Sequence, residues 1–179
     1  MATPQLRPDQ VIWLSDAVAR YIAAQRDRYT PRAAPLPEHL RGTLAGFFTP
    51  TVLDTCFVTL QDERVQNPDF YPGLQALGFR NLPDQSTMAA ITFCDVVVCH
   101  VPVDNGLLFH ELVHAEQYRQ LGIEQFSELY VTGFLNSGCY ESIPLERHAY
   151  RLGARYESNP HDVFSVEDAV RDSIFRRAY

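Results

Sequence analysis

"HELVH", residues 110 to 114, holds the side chains of this sequence best spaced to do chemistry together. On a helix, positions four apart share a face, so His110 and His114 aim their imidazoles at one point. Zn2+ takes imidazole nitrogen at about 2.0–2.1 Å, and one helical turn spans that bite. Glu111 lies about 100° round from His110. From there it reaches the open side of such an ion without binding it, and accepts a proton from the water held there.

The pentapeptide alone is a weak signal, because a solvated helix can carry two histidines by chance. Its neighbours weaken that bland reading. Leu107, Leu108, Phe109, Leu112 and Val113 make the helix mostly apolar, and a helix this apolar is expected to be buried. Two histidines and a glutamate buried on it are costly unless something satisfies them. A metal ion does so.

A catalytic zinc needs a third protein ligand and a position left for water. Downstream candidates are Glu128, Glu141, Glu146, His148, Glu157 and His161. Glu146 is the best placed, in the first turn of a helix opened by Ile143-Pro144, where the helix dipole favours a carboxylate. Glu141 is its main rival. His148 points about 200° away from Glu146 on the same helix, so one metal does not take both. Tyr150, one turn after Glu146, can donate its phenol to a tetrahedral oxyanion, and Tyr140 is a weaker candidate for that role. Gln117 and Tyr118 extend the motif helix by a turn, where either can orient a ligand. His100, at a strand end, is expected to face solvent.

These residues must be positioned by the surrounding elements. Residues 8–28 place apolar side chains at helical spacing behind Pro8. Residues 29–40 hold three of the twelve prolines and predict an extended connector, followed by a short helix over 38–47. Residues 51–60 are β-branched and aromatic, predicting a strand. Residues 67–79 are turn material with room for one helical turn, and 88–101 predict a hairpin around Cys94-Asp95. Helices follow at 107–121, closed by Gly122, at 124–136, ending near Gly138, and at 143–157. A last one begins at Ser165 as N-cap with Asp168 at N3. Helices, a few strands and more helices make an α+β fold with one small, mostly antiparallel sheet. The 179 residues suit a single domain, with a helical part over 1–50, a sheet over 51–105 and a helical metal-site part over 106–179.

A net charge of -7 without a Lys/Arg block argues against nucleic acid or an anionic membrane as partner. No stretch approaches the roughly 18 apolar residues of a membrane span, and the start is not of signal-peptide type. Four scattered cysteines, Cys56, Cys94, Cys99 and Cys139, fit buried thiols in a reducing compartment. The expected address is cytoplasmic.

With HELVH and a downstream helical glutamate in place, the chain resembles the zincin metallopeptidases of the gluzincin branch. "LLFHELVHAEQYRQLG", "FSELYVTGFL" and "ESIPLERHAY" are more closely similar to small bacterial zincin-like domains of unassigned function, over residues 88 to 157. The resemblance implies zinc on His110, His114 and Glu146, and Glu111 as general base. It also implies a peptide lying along the strand before the motif helix, here 96–101, by strand addition. Many relatives carry a second acidic residue after Pro-Leu-Glu, where this chain has Arg147-His148. The expectation is a zinc-dependent metallopeptidase that hydrolyses a peptide or protein substrate, with Glu111 and Tyr150 catalytic. The alternative is a non-catalytic zinc-binding scaffold or partner-binding module of the same fold.

Overall fold

Pro8 opens the first helix, α1 (Pro8–Tyr29), where a missing N–H loses no hydrogen bond. The Arg7 N–H donates to the Gln10 side chain (2.9 Å) across that first turn. The structure, a computed structural model, describes residues 4–179. The proline-rich stretch after α1 forms a single 3-10 turn (Thr30–Arg32) and a two-residue strand, β1 (Ala34–Pro35), before α2 (Glu38–Leu44).

The 51–60 stretch departs from the single strand expected of it. Its start closes into a helical turn, α3 (Pro50–Leu53), and only β2 (Cys56–Thr59) is extended. Proline is suited to a first turn; the Val52 and Asp54 amides donate to the Thr49 and Pro50 carbonyls at 3.1 and 3.0 Å. That turn buries Val52 and Leu53, so packing overrides their strand propensity. α4 (Tyr71–Ala76) supplies the helical turn expected near Pro72.

β3 (Ala90–Phe93) and β4 (Val96–Cys99) form the expected hairpin around Cys94-Asp95. Arg26 of α1 grips the Asp95 carboxylate with two hydrogen bonds, of 2.7 and 2.8 Å, tying the hairpin tip to the helix. The sheet order is β1-β2-β4-β3, with β2 and β4 parallel and the other two pairings antiparallel. β4 is therefore interior, and all four of its residues are buried. This corrects the expectation that a peptide could add along the strand before the motif helix: β2 and β3 flank β4 on both sides, and β3, although mostly buried, is the strand next to it with an unpaired side.

The motif lies on α5 (Asn105–Ser137), a 33-residue helix capped by Asp104, whose carboxylate accepts from the Leu107 N–H (2.8 Å). As expected, two helical segments meet at Gly122, whose φ of 76° and ψ of 166° are not helical, so α5 is kinked there. Gly138 ends it in the left-handed conformation. α6 (Pro144–Ser158) returns against α5, and α7 (Val166–Phe175) starts where the Ser165 hydroxyl accepts from the Asp168 N–H (3.0 Å).

Strand alternation sorts the core. Phe93, Val96 and Val98 cluster with Leu14, Ile22 and Tyr29 of α1. Ala90, Val97 and Cys99 turn to the opposite face, toward Leu107 at the start of α5. α5 is thus covered by sheet on one side and by α6 and α7 on the other, and residues 111–118 are buried all round. Among the described residues, no helix is long and apolar enough to cross a membrane.

The bend at Gly122 yields a stability prediction. A methyl group there meets nothing nearer than Glu124 Oε2 at 3.8 Å, so the cost of Gly122→Ala is conformational, about 1–3 kcal/mol for this glycine-only region. Chemical denaturation should show a lower midpoint with an unchanged slope. An unchanged midpoint would mean that the backbone there has an easy alternative.

Candidate metal centre

α5 presents His110 and His114 on one face, and the first turn of α6 brings Glu146 to meet them. His114 Nε2 lies 3.1 Å from His110 Nε2 and 3.2 Å from Glu146 Oε2; His110 Nε2 and Glu146 Oε2 are 3.5 Å apart. Ligand atoms of a tetrahedral zinc at about 2.0–2.1 Å stand about 3.3 Å from one another. The three atoms thus form one face of such a tetrahedron, and this group can hold a metal ion.

Gln117 sets the chemistry of His114. It is fully buried, and its amide NH2 donates to the Leu145 carbonyl (3.1 Å) at the start of α6. That orientation leaves Oε1 to accept from His114 Nδ1–H at 2.8 Å. With the proton on Nδ1, neutral His114 turns a lone pair at Nε2 toward the Glu146 carboxylate. A lone pair facing a carboxylate in a buried site requires a cation or a proton between them. Without metal the proton serves. Burial alone would lower the His114 pKa and raise that of Glu146, but the charge of each acting on the other prevails, so His114 is raised and Glu146 lowered.

Glu111 is buried beside this group, 4% exposed. The Thr92 hydroxyl donates to its Oε2 at 2.7 Å and also lies 3.0 Å from its backbone carbonyl. Thr92 was missed in the sequence; its one signal is the strand alternation that turns it, with Ala90, toward α5. The same strand leaves one side of its backbone unpaired. The His100 N–H donates to the Ala89 carbonyl (2.7 Å), and bonded positions alternate along an antiparallel pair. Ile91 and Phe93 therefore bond to β4, while Ala90 and Thr92 direct their N–H and C=O groups to the free edge.

Tyr150 is half exposed, its ring centroid 4.5 Å from that of His110. Burial, and then the nearby Glu146 charge, raises its phenol pKa, so it remains a donor at neutral pH. Tyr140 is closer to the interior, and burial pushes its phenol far up. Both border an open groove that also contains His110 and Glu111.

The other candidates lie elsewhere. Glu141, the rival ligand, is exposed on the groove wall, as is Glu157; Glu128 and His161 are exposed and outside the ligand group. Buried His148 faces away, with Nδ1 on the Tyr179 hydroxyl and Nε2 3.4 Å from Ser173 Oγ. His100 does not face solvent as expected. It is 8% exposed, and its ring bridges the Val65 N–H (3.1 Å) and the Met88 carbonyl (2.7 Å), a staple that fixes the loop before β3. Tyr118 is a wall residue, its ring stacked on Phe126.

No family model matches the chain, and no curated protein or solved structure is significantly similar to it.

Two outcomes are expected. Gln117→Ala should weaken zinc binding about 10–100-fold, read by competition with a chromophoric chelator; undiminished affinity would show that Gln117 only fills space. Without metal, the raised His114 stabilises the fold fully below pH 6.5, and this is lost as pH rises through its raised value. The lowered Glu146 contributes fully above pH 4.5, and this is lost as pH falls. The melting temperature of chelator-treated protein, relative to Glu146→Gln, should therefore be most favourable between those values and decline on both sides. A difference flat from pH 4 to 10 would contradict the pairing.

Proposed function

We propose that this chain is a zinc-dependent peptidase with a zincin-like site on His110, His114 and Glu146. The observation that carries the reading is the ligand number: three side chains converge, the group holds no fourth among the described residues, and Glu111 lines an open groove together with His110. Structural zinc sites generally close with four protein ligands, whereas catalytic ones keep a position open. Zinc bound there supplies a Lewis acid that acidifies water and polarises a carbonyl.

The chain's own groups do the rest. Glu111 accepts the proton of the attacking water and hands it to the leaving amine. Thr92 holds the Glu111 carboxylate in place, and Gln117 keeps the His114 lone pair directed at the centre. Substrate backbone adds to the free edge of β3, where Ala90 and Thr92 offer unpaired groups. Tyr150, at the groove wall beside His110, donates its phenol to the developing oxyanion. A zinc-stapled scaffold needs neither an open ligand position nor a carboxylate beside it.

Glu111→Gln tests the reading directly. Peptide hydrolysis should fall about 10²–10⁴-fold, the scale of general-base catalysis, while zinc stoichiometry by metal analysis stays that of the wild type. Full activity in that variant would sink the mechanism.

A further inference from the structure

Gln117 has two amide protons, and the Leu145 carbonyl takes one of them (3.1 Å). In a side chain with no exposed surface, the second proton also needs an acceptor. Half-buried Tyr179 answers that need, since a hydrogen bond from Gln117 acts on its phenol oxygen. The phenol's own proton then goes to His148 Nδ1. The His148 proton, left on Nε2, faces Ser173 Oγ at 3.4 Å. We propose that the Tyr179 hydroxyl is a positioning group for the metal centre, holding the Gln117 amide with Oε1 on His114 and both N–H groups turned away from it. The proposal rests on the zinc reading of His110, His114 and Glu146 and does not need peptide hydrolysis.

The direction of the amide matters to the metal. Flipped, Gln117 would set an N–H against His114 Nδ1 and drive the imidazole proton to Nε2, the atom that faces Glu146. The Leu145 carbonyl opposes that flip with one bond, and Tyr179 adds a second. Because the phenol proton is committed to His148, the phenol oxygen meets Gln117 as an acceptor. Burial pushes the phenol pKa up to about 12, so the proton is there to give at neutral pH. The backbone supports the same arrangement. Beyond α7, the Arg177 and Ala178 N–H groups donate to the Ile174 and Ser173 carbonyls at 3.0 and 2.9 Å. Those two bonds close a Schellman turn around a left-handed residue, a place that glycine usually fills. Here it is Arg177, at φ 51°, whose side chain makes the conformation unfavourable. Such a residue persists where its surroundings over-determine it. The turn delivers Tyr179 against His148, with ring centroids 5.5 Å apart, and the bonds of the phenol hold it there.

Tyr179→Phe removes the hydroxyl and keeps the ring, so it tests the bond and not the packing. Zinc affinity, read by competition with a chromophoric chelator, should fall about tenfold, the lower end of what losing a group that orients a ligand costs. In the Gln117→Ala background the same change should cost nothing further, because the two residues act as one unit. In metal-free protein, the His114 Nδ1 proton followed by NMR should shift and exchange with water faster in Tyr179→Phe than in the wild type. Arg177→Gly, which keeps the turn and relieves its strain, should bind zinc as the wild type does. Undiminished affinity in Tyr179→Phe overturns the proposal, as does an unchanged His114 signal or an equal loss in the Gln117→Ala background. A tenfold loss in Arg177→Gly assigns the effect to a loosened chain and overturns it as well. If the wild type binds no zinc, the metal reading fails instead, and the His114 signal still decides whether Tyr179 acts through Gln117.

Discussion

Three electron-rich atoms held at 3.1 to 3.5 Å from one another inside a protein repel unless a positive charge lies among them. The arrangement of α5 and α6 enforces that approach. Gln117 spans the two helices, one end on His114 and the other on the Leu145 carbonyl next to Glu146, so a single amide ties the two sides of the group together. A proton satisfies the group at the cost of occupying His114; a divalent ion satisfies all three atoms at once. Were a metal to bind here, its binding and the release of that proton would be one event.

The bend in α5 connects this centre to its surroundings. Tyr118 and Phe126 are eight residues apart, a rise of about 12 Å on a straight helix, yet their ring centroids are 3.8 Å apart. Gly122 folds the second half of the helix back over the first, which brings Phe126 within 6.4 Å of the His114 ring, centroid to centroid. The helix that carries the ligands thereby also builds the wall behind them. On the opposite side, Thr92 joins the edge strand to Glu111, so the strand that offers its backbone also holds the carboxylate.

The grouping of His110, His114 and Glu146 was legible because helical spacing is local. Four residues separate His110 from His114, and Pro144 announces the turn that carries Glu146. The hairpin at 88–101, the helix boundaries at Pro8, Gly138 and Ser165 and the break at Gly122 were legible for the same reason, each being written by a cap, a turn or a proline. What was not legible is what depends on partners far along the chain. β4 reads as a strand, but only β2, 40 residues earlier in register, makes it interior. His100 reads as a strand end, but its ring is claimed by Val65 and Met88. Thr92 carries no local sign of its partner, because that partner is on another element.

His148 shows why the centre stops at three protein ligands. It lies two residues beyond Glu146, about 200° round the helix, and its ring is enclosed by Tyr179 and Ser173 from the chain's end. Burial, then the charges of Arg151 and His114, lowers its pKa to about 4, so it stays neutral at ordinary pH. An acid in place of His148 would have brought another negative charge to the back of α6. A neutral histidine with both nitrogens engaged instead braces the helix against α7 without competing for the ion. With His148 turned away, the group that could hold an ion keeps three side chains, and Glu111 lines the groove beside His110.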